Sequence, residues 1–162
     1  MRYLDLGDRK FDVIYNSFVL EHVENAELVL QNLYSWLKPG GLLILKIPDG
    51  DTVFGFIAKT TPFWSHIAYK KYIKGHKNAG KPGFAPYPTY YNKIVSRNGI
   101  QRFCKSHNIV IREEIGSCAY LRNKFKNPKV LFTQAIAVLV SILSIGKLPY
   151  KYNNLTYLLE KK

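Results

Sequence analysis

The spacing of apolar residues predicts a strand, a helix and a second strand early in the chain. Phe11-Asp12-Val13-Ile14-Tyr15 is short, β-rich and mostly apolar, the pattern of a buried parallel strand. Asn25 is a good N-cap, and Glu27 sits in the first turn, where a negative charge suits the helix dipole. Ala26, Leu30, Leu33 and Leu37 then recur at helical spacing and mark one apolar face. Pro39-Gly40-Gly41 is expected to end that helix, since glycine just past a helix takes the left-handed conformation readily. Leu42 to Ile47 reads as the second apolar strand. Two apolar strands joined by a helix form a right-handed crossover, the unit of a parallel α/β sheet.

Further along the regular pattern loosens. Thr61 to Lys74 fits a helix beginning at Pro62, while Gly75 to Pro88 holds too many glycines and prolines for regular structure. Ser96 can cap a helix whose Ile100, Phe103 and Cys104 face inward, with Asn108 as a left-handed stop. Ile109 to Ile115 follows as a strand. Val130 to Ile145 is nearly all apolar. At about 1.5 Å per residue it covers about 24 Å, short of the roughly 30 Å of a bilayer's hydrocarbon core. It is therefore read as a helix buried on the sheet or lying in a membrane interface. The flanking Arg122, Lys124, Lys126 and Lys129 favour the interface, because cations hold anionic headgroups.

Charge sharpens this picture. The chain of 162 residues carries a net charge of +13, enough length for one domain with a real core. Residues 1–51 are net acidic, and residues 52–129 carry fifteen basic side chains against two acidic ones. Such a field favours phosphate headgroups, nucleic acid or a phosphorylated substrate. Residues 53–91 interleave aromatics with Lys59, Lys70, Lys71, Lys74, Lys77 and Lys81. This is the composition of a lid with aromatic walls and a cationic rim; no recognised nucleic-acid motif accompanies it. Cys104 and Cys118 form no CxxC pair, so two reduced cysteines of a cytoplasmic protein are expected. No secretory signal pattern opens the chain.

The wording FDVIYNSFVLEHV followed by LKPGG closely resembles the middle of class I S-adenosyl-L-methionine (SAM) dependent methyltransferases of the type 11 kind. The sharp resemblance covers residues 11–50. It implies an α/β, Rossmann-like methyltransferase sheet with parallel strands from the βαβ unit. It also implies that Leu155 to Glu160 is an antiparallel last strand inserted between the two preceding ones. The family's glycine-rich loop after its first strand is missing. Leu4-Asp5-Leu6-Gly7 is followed by no second glycine, and the Phe11 strand begins too soon. By this resemblance residues 1–162 form one incomplete methyltransferase domain, its C-terminal part. Its pieces are a βαβ core at 11–48, a basic aromatic lid at 53–91 and an apolar helix at 130–145.

The resemblance also nominates residues. Ligands of open α/β sheets bind outside the carboxyl ends of the strands. Asn16, Ser17 and Phe18 follow such an end, and in the family that turn lies against the methionine part of SAM. Asp49, after the next strand, faces the substrate there and is a candidate general base, with His22 as a second. Some relatives carry E-x-x-E-H and bind a divalent metal. Here the first carboxylate position is Phe18, and Glu21 with His22 alone suits a hard cation poorly, so no metal is expected. His66 and His76 are further acid–base candidates on titration range alone. The function implied is methyl transfer to a small or lipid-linked acceptor at the inner face of the membrane. Its rival is a non-catalytic remnant that binds a membrane surface, through 122–147, or a partner protein. An uncovered sheet edge would add self-association.

Overall fold

The computed structural model of the chain describes residues 6–118 and 128–162. Among these, nine α-helices and strands follow in the order β1 (Phe11–Ser17), α1 (Ala26–Ser35), β2 (Leu37–Pro48), α2 (Val53–Thr60), α3 (Phe63–Ala68), α4 (Arg97–Ser106), β3 (Val110–Ser117), α5 (Pro128–Leu143) and β4 (Asn154–Glu160). The strands form one open sheet in the order β1-β2-β4-β3. β1 and β2 are parallel, and β4 runs antiparallel to both β2 and β3. The expected insertion of the last strand between the two preceding ones is thus found.

Local chemistry explains most boundaries. Asn25 caps α1, its side chain accepting from the Leu28 N–H at 3.1 Å. Thr52 caps α2 through the Gly55 N–H, and Ser96 caps α4 through the Gly99 N–H. Asn108 is left-handed, with φ 54°, and ends α4 as expected. Helix α2 was not read from the sequence. After α3 the chain widens into a single π turn, Tyr69–Ile73, before the irregular stretch.

Two expectations about the βαβ unit are corrected. Helix α1 stops at Ser35, and Leu37 belongs to β2, where it pairs with Phe11. Gly40 is left-handed, with φ 75°, but inside the irregular start of β2 rather than just past the helix. Leu37 keeps the helical spacing and is still buried, because strand and helix deliver their apolar side chains to the same core.

That core lies on one face of the sheet. Leu43, Leu45 and Ile47 of β2 and Leu155, Tyr157 and Leu159 of β4 point into it. Val29, Leu30 and Leu33 of α1 and Ile100, Phe103 and Cys104 of α4 cover them. At about 25 cal/mol per Å² of apolar surface, this face is the main source of stability. The opposite face is open. Val13 and Tyr15 are 53% and 66% exposed, and Ile115 is 53% exposed. β1 is therefore not the buried strand its composition predicts. Among the described residues it is the edge of the sheet, and only one of its faces is covered.

Helix α5 is not buried on the sheet either. It buries a narrow line, Ala137 and Ser141, and turns Phe132, Leu139, Ile142 and Leu143 outward. The cations at 122, 124 and 126 assigned to its flank lie outside the described residues, as do residues 1–5. Among the described residues no helix is long and apolar enough to cross a membrane.

Candidate functional site

The carboxyl ends of β1 and β2 gather the polar groups that the rest of the core excludes. Asn16 is buried, on the covered face beside Leu45, and neither its Oδ1 nor its Nδ2 has a hydrogen-bond partner. A buried amide without partners costs on the order of 1–3 kcal/mol, so it needs a reason. Ser17 is half-buried on the open face, opposite Lys46. Phe18 comes next with φ 53°, a left-handed conformation that a bulky side chain rarely adopts. Its N–H donates to the Lys46 carbonyl at 2.9 Å, and the Lys46 ammonium stands 5.2 Å from its ring centroid. Strain of this kind clusters at ligand sites. Nothing in the sequence announces it, since phenylalanine is not a left-handed former.

The chain then makes a 3₁₀ turn, Leu20–His22, roofed by the segment around residues 88–92. The Tyr90 N–H donates to the Glu21 carbonyl at 2.8 Å, and the Asn92 amide donates to the Val23 carbonyl at 3.1 Å. Glu21 is buried, its Oε2 has no partner, and burial pushes its carboxyl above the usual range. His22 is exposed. Its Nδ1 lies 2.8 Å from the Pro88 carbonyl, with Tyr87 edge-on to the ring. A carbonyl only accepts, so Nδ1 is the donor, and in the neutral tautomer this selects, the lone pair is on Nε2.

Asp49 directly follows β2 and is buried at 1% exposure. Its Oδ1 accepts from the Asp51 N–H at 3.0 Å and from the Arg97 N–H at 3.1 Å, and its Oδ2 has no partner. The carboxylate thus ties the end of β2 to the first turn of α4. Close backbone packing completes this junction. A Cβ on Gly55 would lie 2.6 Å from the Asp49 carbonyl, and one on Gly99 2.4 Å from the Lys93 carbonyl. Asn16, Ser17, Phe18, Glu21, His22 and Asp49 therefore all lie at the carboxyl-end side of the parallel pair or in the turns that follow it.

The remaining candidates stand apart from it. His66 Nε2 lies 3.0 Å from Thr61 Oγ1 at the start of α3, and His76 is exposed in the irregular stretch. Cys104 and Cys118 are buried free thiols, and burial raises Cys104 to about 11, which disfavours its thiolate. Among the described residues no three histidine, cysteine or carboxylate side chains gather where they could hold a metal.

With this geometry in hand, comparison with known proteins gives the class. A family model described as a methyltransferase domain matches residues 4–103, and the chain belongs to that family. Similar solved structures include one provisionally assigned as a sarcosine dimethylglycine methyltransferase from Galdieria sulphuraria, at 14% identity and TM-score 0.48. That match covers 99% of this chain and 57% of the other. The plantazolicin methyltransferase BpumL in complex with a pentazolic desmethylPZN analog and SAH matches at 13% identity and TM-score 0.46, covering 99% and 56%. The mycolic acid cyclopropane synthase CmaA1 complexed with SAH and CTAB matches at 15% identity and TM-score 0.45, covering 96% and 57%. The chain spans a little over half the length of these three structures.

Proposed function

We propose that this domain serves methyl transfer from SAM to a small or lipid-linked acceptor, with the cofactor held outside the carboxyl ends of β1 and β2. The observation that carries the reading is the pairing of Asn16, buried without a partner, with the left-handed Phe18 at that strand end. A polar ligand there would give the amide what the fold withholds, and Ser17 stands between the two. When bound, SAM supplies a methyl group already activated as a sulfonium, so the protein's task is to hold and orient. His22 is the exposed candidate base. The Pro88 carbonyl fixes its tautomer and leaves Nε2 free to take a proton from an acceptor hydroxyl. Asp49, buried and bonded to two N–H groups, takes a positioning role. Residues 53–91 form the cover. Trp64, 70% exposed, presents an aromatic face to an acceptor.

Calorimetric titration with S-adenosylhomocysteine tests this. Saturable binding in the micromolar range is expected. Asn16→Leu should weaken it about tenfold while leaving the unfolding midpoint equal or higher, because it removes an unpaired amide from the core. No heat from a folded chain would reject the cofactor site.

A second reading is favoured by the outward apolar side of α5 and by the open edge of β1. In it the chain is a non-catalytic methyltransferase-like domain that binds a membrane surface or another chain. Pairing through β1 would raise the mass seen by light scattering as concentration rises; a constant monomer mass would reject it.

A further inference from the structure

A recess of about 440 Å³ opens between the last turn of α2 and the exposed side of α4, and Asn16, Ser17 and Phe18 are not among its lining residues. Four cations line it: Lys59, Lys93, Arg102 and Lys105. Its one carboxylate, Asp51, already accepts from the Asn98 amide at 2.8 Å. Two stretches far apart in sequence build the cluster: the end of α2, and the loop that leads into α4 together with that helix. Lys59 leans back to donate to the Gly50 carbonyl at 3.0 Å, which fixes its ammonium at the rim. Lys93 comes from the loop that Ser96 closes by accepting from the Gly99 N–H. Asn98, Arg102 and Lys105 follow at i, i+4 and i+7 and so share one face of α4.

Among the described residues Lys93, Arg102 and Lys105 enter no ion pair. Like charges held in one concavity repel each other, and an anion relieves the repulsion. Every lining side chain carries a polar group, so the recess favours a polar ligand. The volume exceeds what a bare oxyanion fills. We infer that this recess binds a phosphorylated ligand, a pyrophosphate or phosphomonoester group carried on a larger body. Arg102 offers the planar fork that pairs with phosphate oxygens, and the three lysines supply point charges around it. The inference does not depend on the methyl-transfer reading, because Lys93, Arg102 and Lys105 lie outside the residues given to the cofactor and its cover.

The test is calorimetric titration of the full chain with inorganic pyrophosphate. Saturable binding is expected, weakened about tenfold or more in R102Q/K105Q. It should be unchanged in K77Q/K151Q, which removes the same charge at exposed positions elsewhere. Lys93→Gln, on a loop, gives the same reading should the α4 variant fold poorly. Absence of saturable binding, or equal weakening in both double variants, overturns the inference. Flotation with phosphatidylcholine vesicles containing phosphatidic acid separates two sources of the group. Capture that pyrophosphate displaces and R102Q/K105Q lacks assigns it to a lipid headgroup. Pyrophosphate binding without capture assigns it to a soluble ligand.

Discussion

Glu21 is the residue whose protonation the fold biases most clearly near the site. Burial raises its carboxyl above the ordinary range. A carboxyl with a raised folded pKa adds stability that is fully present below the unfolded value, about pH 4.3, and is lost as pH rises through the folded value. At neutral pH, then, Glu21 is a burden on the fold. Glu21→Gln should raise the thermal midpoint at pH 7 and leave it unchanged at pH 4. An equal shift at both pH values would show that packing, not ionisation, is responsible. At this scale the sequence was only partly legible. Through its resemblance to the methyltransferases it nominates Asn16, Ser17, Phe18, His22 and Asp49. The orphaned amide of Asn16, the backbone of Phe18 and the burial of Asp49 depend on neighbours brought together only by folding.

At the scale of elements, caps were the most legible feature. Asn25, Ser96 and Asn108 act where their chemistry predicts. The other end of α1 was not legible. No basic residue of its own stands in its last turn. Lys161, just after β4, reaches over instead. Its ammonium donates to the Leu37 carbonyl at 2.9 Å and the Tyr34 carbonyl at 3.1 Å, and lies 4.9 Å from the Tyr34 ring centroid. A cation there satisfies open carbonyls and complements the helix dipole. Lys161→Met keeps the aliphatic stem and removes the charge. It should cost about 1–2 kcal/mol in urea denaturation, and an unchanged midpoint would deny the cap. β1 departs from its composition for a related reason. That composition suits a buried strand, but burial is a property of what lies on either side, and the described residues leave its other edge and one face uncovered.

For the whole molecule, the excess positive charge and the exposed apolar surfaces act together. Phe132, Leu139, Ile142 and Leu143 of α5 face outward, and Lys147 and Lys151 follow them. An apolar stripe beside cations suits an anionic bilayer interface. Cosedimentation with vesicles containing phosphatidylglycerol should therefore be salt-sensitive, and I142S/L143S should abolish it. Equal capture by neutral vesicles would remove the electrostatic part of this reading, and equal capture of the variant would remove the helix. The periodicity of α5 showed a helix too short to span a membrane. It did not show which side would be left bare, because nearly every position is apolar.

The place of β4 bears on how the molecule is made. It is the last strand in sequence, yet it sits between β2 and β3 and is hydrogen-bonded along both. A chain emerging from the ribosome can assemble β1, α1 and β2 from local contacts, but β3 then has no strand to join. Leu43, Leu45 and Ile47 must wait beside an empty lane until Leu155, Tyr157 and Leu159 arrive to fill it. Long-range pairing of this kind slows folding and prolongs the exposure of apolar edges. During synthesis the β1–β2 half of this sheet therefore stays open on one side until β4 is made, and the arrival of that strand closes the core.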